Sequence, residues 1–241
     1  QQIMIDKYGF DPGDDSSPAN LQSPDKNLFG KLTYQAGGSS QLEVSYNYVK
    51  ARSESFNRTA RTDPTRDGWQ LSNSGNDIRN TTNTARAKFT SLIGGGNLEV
   101  LMGYIKVRDR RAPNLDRPLI LTLDNRSIGA YIAAGGERFS HGNELDQDIY
   151  EATANLTFGM GKNHQLTIGT HNEFFSFRNL FANNRFGTWT FGSVDSLNAG
   201  LARRYEIQLE SRPGGFTADF GVKQLGACLQ DAWRPDDRLT V

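Results

Sequence analysis

The chain has almost no cysteine, no long apolar run and no net charge. Of its 241 residues only Cys228 is a cysteine, so there is no internal disulfide framework and no spacing of metal ligands. Lys and Arg together number 27, as do Asp and Glu, and this balance leaves no global basic field for nucleic acid. Mean hydropathy is −0.60, and no apolar run approaches the roughly 18 residues of a spanning helix. These absences exclude a helical membrane protein but not a transmembrane barrel, in which only alternate strand residues meet lipid.

A leader segment is also missing. The chain begins at Gln1 without a charged and then apolar stretch, and it stops at Val241, where a further strand is predicted to begin. We therefore expect a fragment of a longer protein, whose export signal, if there is one, lies outside this sequence.

Alternation of apolar and polar residues is the dominant pattern that is present, and it is clearest in residues 146–177. In the first arm one face carries apolar residues: Tyr150, Ala152, Ala154, Leu156 and Phe158. A glycine-rich turn at residues 159–163 leads into a second alternating arm. Period two predicts strands with one apolar side, and each arm approaches or exceeds the roughly 9–11 residues that a tilted strand needs to cross a bilayer. Three aromatic residues at the far end are placed like a membrane-boundary girdle: Phe174, Phe175 and Phe177.

The same unit repeats along the chain. Hairpins are predicted at about 27–53, 81–108, 146–177 and 216–241, with long outward loops at about 54–80, 109–145 and 178–215 and a further loop at 1–26. Short and long connections alternate strictly, as they do in outer-membrane barrels. The sequence therefore predicts an all-β fold, an antiparallel meander of about seven to eight long transmembrane strands that forms a curved section of a larger barrel. Strands this long disfavour a soluble sandwich, whose strands usually have about 5–6 residues.

One strand departs from the pattern. The apolar positions near its start are Phe220 and Val222, and further along they are Leu225, Ala227 and Leu229, so the apolar side changes parity near residue 223. A β-bulge would explain this change, and so would the transition from an exposed loop end to a membrane span. Both explanations stay open at this point.

The end of the chain resembles a known family. The residues Gln230, Asp231, Ala232 and Trp233, within Val222–Val241, resemble a Gln-Asp-x-Trp-x-Pro element of TonB-dependent transporter barrels, which precedes a turn and a Leu-Thr-rich strand. Phe186–Gly200 is similar to the loop that precedes this segment in the Oar-like branch. Asn27–Leu32, with Pro24 and Asp25 before it, resembles the start of a strand in that branch.

The resemblance implies a piece of a roughly 22-stranded barrel in the cell outer membrane that imports a bulky solute or serves as a receptor. Its expected partners are outer-membrane lipid and a solute of unknown identity, and no nucleic acid. The plug, the energy-coupling box and the terminal aromatic strand of the family are not in this sequence. TonB is therefore a partner only through parts missing from this chain.

Residue types typical of catalysis do not form a recognised constellation. His141, His164 and His171 lack metal-ligand spacing, and no Gly-x-Ser-x-Gly elbow occurs. We predict no enzyme, no catalytic or metal residue and no cofactor. The alternatives to a transporter segment are a soluble or surface β-rich binding or adhesion module and, after it, an outer-membrane barrel enzyme.

Six residues in the predicted outward loops are candidates for ligand contact. The cations are Arg108, Arg110, Arg111 and Arg117, which could line the entrance of an anionic solute or hold lipopolysaccharide phosphates, or be simply solvated. The aromatics are Trp189 and Phe191, because exposed aromatics in a loop need a partner or a packed lid. We hypothesise that their loop folds over the barrel mouth.

Overall fold

The structure is a computed structural model that describes residues 1–15, 21–56, 68–123, 130–236 and 238–241. Seven long strands form its main sheet: β1 (Asp25–Gln35), β2 (Ser40–Ser55), β4 (Asn76–Ile93), β5 (Gly96–Pro113), β8 (Asn143–Met160), β9 (His164–Phe181) and β12 (Thr217–Trp233). Each is antiparallel to the next and hydrogen-bonded to it in this order. We call this the wall sheet, and it confirms the predicted all-β antiparallel meander.

Continuous register places most apolar positions of the strands on one side of the wall sheet. Leu156 lies opposite Ile168 on one neighbour and Leu98 on the other, and the same side continues through Val100 and Phe89. Some of its side chains are half-buried, and others are exposed, such as Met102 (62%) and Leu229 (74%). We call this side the apolar face. An exposed apolar face of this extent requires lipid or a covering protein surface.

Glycines form the tight turns at one end of the wall sheet. Ile93 pairs with Gly96, so the turn between β4 and β5 has only the two central residues Gly94 and Gly95, with φ of 57° and 81°. Positive φ at both central residues is typical of the type I′ turn, whose twist matches that of the flanking strands. The short connections that were predicted therefore all lie at this end of the wall sheet.

The strands extend further than the alternation predicted. β8 and β9 end at residues 143 and 181 rather than at about 146 and 177, and β5 continues to Pro113. Arg108, Arg110 and Arg111 are therefore strand residues, which corrects their placement in a loop. The ladder continues because polar residues pair across it, as Arg110 does opposite Glu144. An 18-residue strand is about 60 Å long, roughly twice the hydrocarbon thickness of a bilayer.

A second sheet occupies the long connections. Its strands are β3 (Trp69–Gln70), β6 (Leu119–Leu123), β7 (Tyr131–Ala134), β10 (Thr188–Phe191) and β11 (Arg204–Glu206), in the order β11-β10-β6-β7-β3. Three helical elements accompany it within the described residues: α1 (Gln2–Tyr8), a 3-10 helix (Arg138–Ser140) and α2 (Val194–Ala199). We call these elements together the cap. It lies at the end of the wall sheet opposite the tight turns.

The cap adds short strands and helices to the segments predicted as loops at 1–26, 54–80, 109–145 and 178–215. Its strands have only two to five residues and pair across long stretches of sequence, so no periodicity in the sequence predicts them. A small core holds them together: Met4, Leu71, Ile120, Ala134, Phe191 and Leu197. Residues 16–20, 57–67 and 124–129 of the predicted loops lie outside the described residues.

The pairing of β12 explains why the apolar side of this strand changes parity near residue 223. Pairing of β12 with β9 runs without interruption from Thr217 opposite Leu180 to Trp233 opposite His164, so there is no bulge in β12. Its apolar residues simply move from one face of the wall sheet to the other. Val241, in the segment predicted to begin a further strand, exchanges two backbone hydrogen bonds with Trp233. Among the described residues, no helix has the length and hydropathy needed to span a bilayer.

Candidate functional site

Two of the predicted arginines lie on the apolar-face side of β5, beyond its apolar residues. The Arg108 Nη2 is 2.6 Å from Asp148 Oδ2, and the Arg110 Nη2 is 2.5 Å from Asp146 Oδ1. Both acidic partners belong to β8, so these ion pairs join neighbouring strands. Their charge is neutralised within the wall sheet, and they do not belong to the cap.

Arg111 points to the opposite side and fastens the 3-10 helix of the cap to β5. Its Nη2 is 3.0 Å from Glu137 Oε2, and its Nε donates to Ser140 Oγ at 2.9 Å. The Ser140 hydroxyl in turn donates to Glu137 Oε2 at 2.6 Å, and Ser140 is almost fully buried. Arg111 therefore positions the cap on the wall sheet.

His141 is a buried histidine that ties two cap segments together. The Phe186 backbone N–H donates to its Nδ1 at 3.2 Å, so the proton is assigned to Nε2, which lies 3.3 Å from the Gly136 carbonyl. Its ring packs on that of Phe186 with centroids 4.6 Å apart. Burial lowers the pKa of His141, against the opposing effects of the Gly136 hydrogen bond and of the carboxylates of Glu137 and Asp116.

The other three predicted residues surround a cavity of about 410 Å³ in the cap. We call it the cap cavity. It lies between α1, β6, β10 and the residues that follow α2, and its lining is Tyr8, Phe10, Arg117, Pro118, Ile120, Trp189, Phe191, Gly200 and Ala202. The structure thus brings Arg117, Trp189 and Phe191 together, although 72 positions of sequence separate the arginine from the tryptophan.

Local sequence explains how α2 ends beside the cap cavity. The Ser196 N–H donates to Ser193 Oγ at 3.1 Å, and the Ser193 N–H donates to Ser196 Oγ at 2.9 Å. This reciprocal capping box starts the helix. Gly200, at φ 72°, ends it in the left-handed conformation that glycine adopts without steric cost. The turn at Gly200 directs the chain along the cavity.

The two aromatics of β10 have different environments. Trp189 is 37% exposed and stacks on Tyr205, with ring centroids 4.1 Å apart. Phe191 is only 3% exposed and belongs to the cap core. The sequence predicted both as exposed loop residues. This is wrong for Phe191, because it packs into the cap core and meets Tyr8 edge to face with ring centroids 6.1 Å apart.

Arg117 supplies the only formal charge among the residues that line the cap cavity. It is exposed, and within the described part of the chain its side chain makes no ion pair or hydrogen bond. Its backbone is fixed, because the Gly136 N–H donates to the Arg117 carbonyl at 3.2 Å. A cation beside flat apolar side chains suits a ligand with both a ring and an anionic group.

A second aromatic cluster lies on the other side of the wall sheet from the apolar face. Phe177 stacks on Phe175 at 5.7 Å and on Phe220 at 5.2 Å, and Ile149 and Val222 are paired with Phe175 in register. We call these five residues the inner patch. Phe175 and Phe177 therefore do not join Phe174 in a girdle at the membrane boundary, since alternate residues face opposite sides. The parity change in β12 and the isolated Ile149 were its signals in the sequence.

Comparison with known proteins bears on the fold. No protein-family model matches the chain, and no curated protein matches it. Among solved structures, the crystal structure of the outer membrane transporter YddB from Escherichia coli is similar, with a TM-score of 0.58 and 12% identity. The wall sheet therefore has the fold of part of that protein's β-barrel. The similarity covers 89% of this chain and 26% of YddB, so the chain spans about a quarter of that transporter's length.

In a barrel section of this kind the exposed apolar face meets lipid and the other side faces the lumen. The inner patch lies on the side of the wall sheet opposite the apolar face, and the cap cavity lies at the end opposite the tight turns. Arg108 and Arg110 lie on the side of the apolar face, beyond its apolar residues. The Oar-like branch and dependence on TonB stay predictions.

Proposed function

We propose that this chain forms part of the wall and the outward cap of a transporter that takes up a bulky solute across the outer membrane. The observation that supports this proposal best is the continuous exposed apolar face of seven paired strands. A soluble binding or adhesion module would have to cover that face with protein. In the described part of the chain the cap packs at the end of the wall sheet and leaves the face open.

We also propose that transport depends on TonB and that the parent protein is Oar-like. The supporting residues lie at the tight-turn end of the wall sheet. Asp231 Oδ2 is 2.7 Å from His164 Nδ1, and the Trp233 ring stacks parallel to the imidazole at 6.2 Å. Through these contacts the Gln-Asp-x-Trp element holds the turn between β8 and β9 against the end of β12. TonB itself would contact parts outside this chain.

Fractionation and uptake together test the proposal. A strain that lacks the gene is compared with one that carries the full-length gene, and growth is measured on a panel of bulky nutrients as sole sources of carbon or iron. We expect the protein in the outer-membrane fraction with heat-modifiable migration, and growth on at least one nutrient that disappears when TonB is deleted. Recovery of the protein in the soluble fraction would overturn the proposal. Growth that does not require TonB would overturn only the coupling.

A further inference from the structure

We propose that the cap cavity binds a flat aromatic ring with a single anionic group, as one part of the bulky solute. The inference deepens the proposed function and rests on it, because it assigns a selective solute site to the barrel mouth. Binding itself is a property of the cap and can be measured without transport. The supporting observations concern the volume, the rigidity and the charge of the cavity.

The volume and lining suit a ring. A cavity of about 410 Å³ is within the range of roughly 300–1,000 Å³ typical of small-molecule sites. Aromatic side chains reach it from two separate elements, Tyr8 and Phe10 at the end of α1 and Trp189 and Phe191 on β10. Several aromatic side chains in the lining favour a planar ligand, because stacked or edge-to-face rings gain more than their buried area alone provides.

The walls are held in place before any ligand binds. The Tyr8 hydroxyl donates to the Leu197 carbonyl at 2.8 Å, and Trp189 lies directly opposite Tyr205 in the pairing of β10 with β11. Gly187 makes room for this stack, because a Cβ there would lie 2.6 Å from atoms of the Tyr205 ring. A preformed site loses little conformational entropy on binding.

The positive charge in the cavity lining favours an anionic ligand. Arg117 is the only ionised side chain of the lining, with Tyr8 as the other titratable group, and burial raises the pKa of Tyr8, so it stays neutral at physiological pH. With no carboxylate in the lining, the guanidinium faces no competing partner there. A carboxylate, sulfonate or phosphate on the ligand would accept two hydrogen bonds from it.

The test uses the full-length protein in lipid nanodiscs, with 2-naphthoate as probe and empty nanodiscs as the blank. Equilibrium dialysis should give saturable binding of 2-naphthoate, and weaker binding of its uncharged analogue 2-naphthylmethanol and of glucuronate, an anion without an aromatic ring. Arg117→Gln should weaken 2-naphthoate binding about tenfold or more and leave 2-naphthylmethanol unchanged. Trp189→Leu should weaken both aromatic probes.

Matched controls lie in the same part of the chain, outside the cavity. Arg185→Gln removes an exposed arginine, and Phe139→Leu removes a half-exposed ring; neither should change 2-naphthoate binding. Ala202→Trp fills the cavity without removing a wall group and should abolish binding even where Trp189→Leu disturbs the cap. Each variant is checked for unchanged heat-modifiable migration.

Saturable binding that survives both Arg117→Gln and Ala202→Trp would overturn the inference, as would tighter binding of glucuronate than of 2-naphthoate. Failure of the proposed function looks different. If the cap cavity binds 2-naphthoate while deletion of the gene changes no uptake, the transporter proposal fails and the binding site stands. If uptake depends on the gene but no probe binds, only the inference fails.

Discussion

At the scale of single residues, the face on which a side chain lies decides what a substitution costs. Leu229 and Gln230 are neighbours on β12, but the first lies on the apolar face and the second on the opposite side of the wall sheet. A charge on the lipid side of a barrel costs about 2–4 kcal/mol near the bilayer midplane, whereas lumenal positions are solvated. The difference in unfolding free energy between charged variants at the two positions therefore tests which side of the wall sheet faces lipid.

We predict that Leu229→Lys lowers the free energy of unfolding of the full-length protein in liposomes by about 2–4 kcal/mol. Gln230→Lys, the matched control, should change it by less than about 0.5 kcal/mol. Urea unfolding followed by tryptophan fluorescence measures both. An equal loss in the two variants would show that β12 does not separate lipid from lumen.

His141 should make the cap sensitive to pH. The folded cap accommodates the neutral imidazole, because burial lowers its pKa below the ordinary value of about 6.5. The contribution of neutral His141 to stability is therefore complete above that value and is lost as the pH falls through it and through the lower folded-state pKa. We expect chymotrypsin to cleave the cap faster at pH 5 than at pH 7.5 when each rate is divided by the rate on an unfolded substrate at the same pH, because the protease itself loses activity as its catalytic histidine is protonated.

His141→Gln should flatten this pH dependence, since an amide can both accept from the Phe186 N–H and donate to the Gly136 carbonyl without titrating. His164→Gln, at the opposite end of the wall sheet, serves as the control and should leave it unchanged. A cleavage rate that rises on acidification by the same factor in wild type and His141→Gln would show that another group is responsible.

At the scale of elements, the cap depends on a few polar contacts with the wall sheet. Arg111→Met removes the guanidinium that holds both Glu137 and Ser140. Because the Glu137 carboxylate is then left half-buried with fewer partners, we predict that the cap opens more readily by about 1–3 kcal/mol. Hydrogen exchange at the Ser140 amide, which donates to the Glu137 carbonyl, should accelerate about 5- to 150-fold.

Arg110→Met is the matched control for this prediction. Its partner Asp146 belongs to β8 and not to the cap, so exchange at Ser140 should stay unchanged. If both variants accelerated exchange equally, the cap would be fastened through the strand ends in general rather than through Arg111.

Elements were predictable from the sequence where their stabilising pattern is local. Long strands with one apolar side show period two, so Tyr150, Ala152 and Ala154 sufficed to predict β8 and its face. The cap strands show no such pattern, because β6 and β10 are parallel partners about 70 positions apart. Phe191 looked like an exposed loop residue for the same reason: its burial depends on Met4 and Leu197, which no local pattern connects to it.

At the scale of the whole molecule, the candidate site combines segments from nearly the full length of the chain. Arg117 and Trp189 were selected from the sequence by their chemistry, and the fold brings them to one cavity. Tyr8 and Phe10 were not selected, because they lie in a segment without periodicity before the first strand. The inner patch was visible only as a disturbance of the alternation at Ile149 and Phe220, since a lumenal apolar cluster and a lipid-facing one differ solely in parity.

The two edge strands carry the last prediction. β1 and β12 each have one neighbour in the wall sheet, so in the described part of the chain each exposes a row of unpaired backbone groups. Unpaired edges are not tolerated in a bilayer and recruit other strands in solution. We expect residues 1–241 alone, refolded in detergent, to elute as oligomers whose size grows with protein concentration, whereas the full-length protein elutes as a monomer. Elution of the 241-residue chain as a monomer with heat-modifiable migration would contradict this expectation. It would mean that β1 and β12 pair with each other, so that the wall sheet closes into a small barrel instead of forming one sector of a larger barrel.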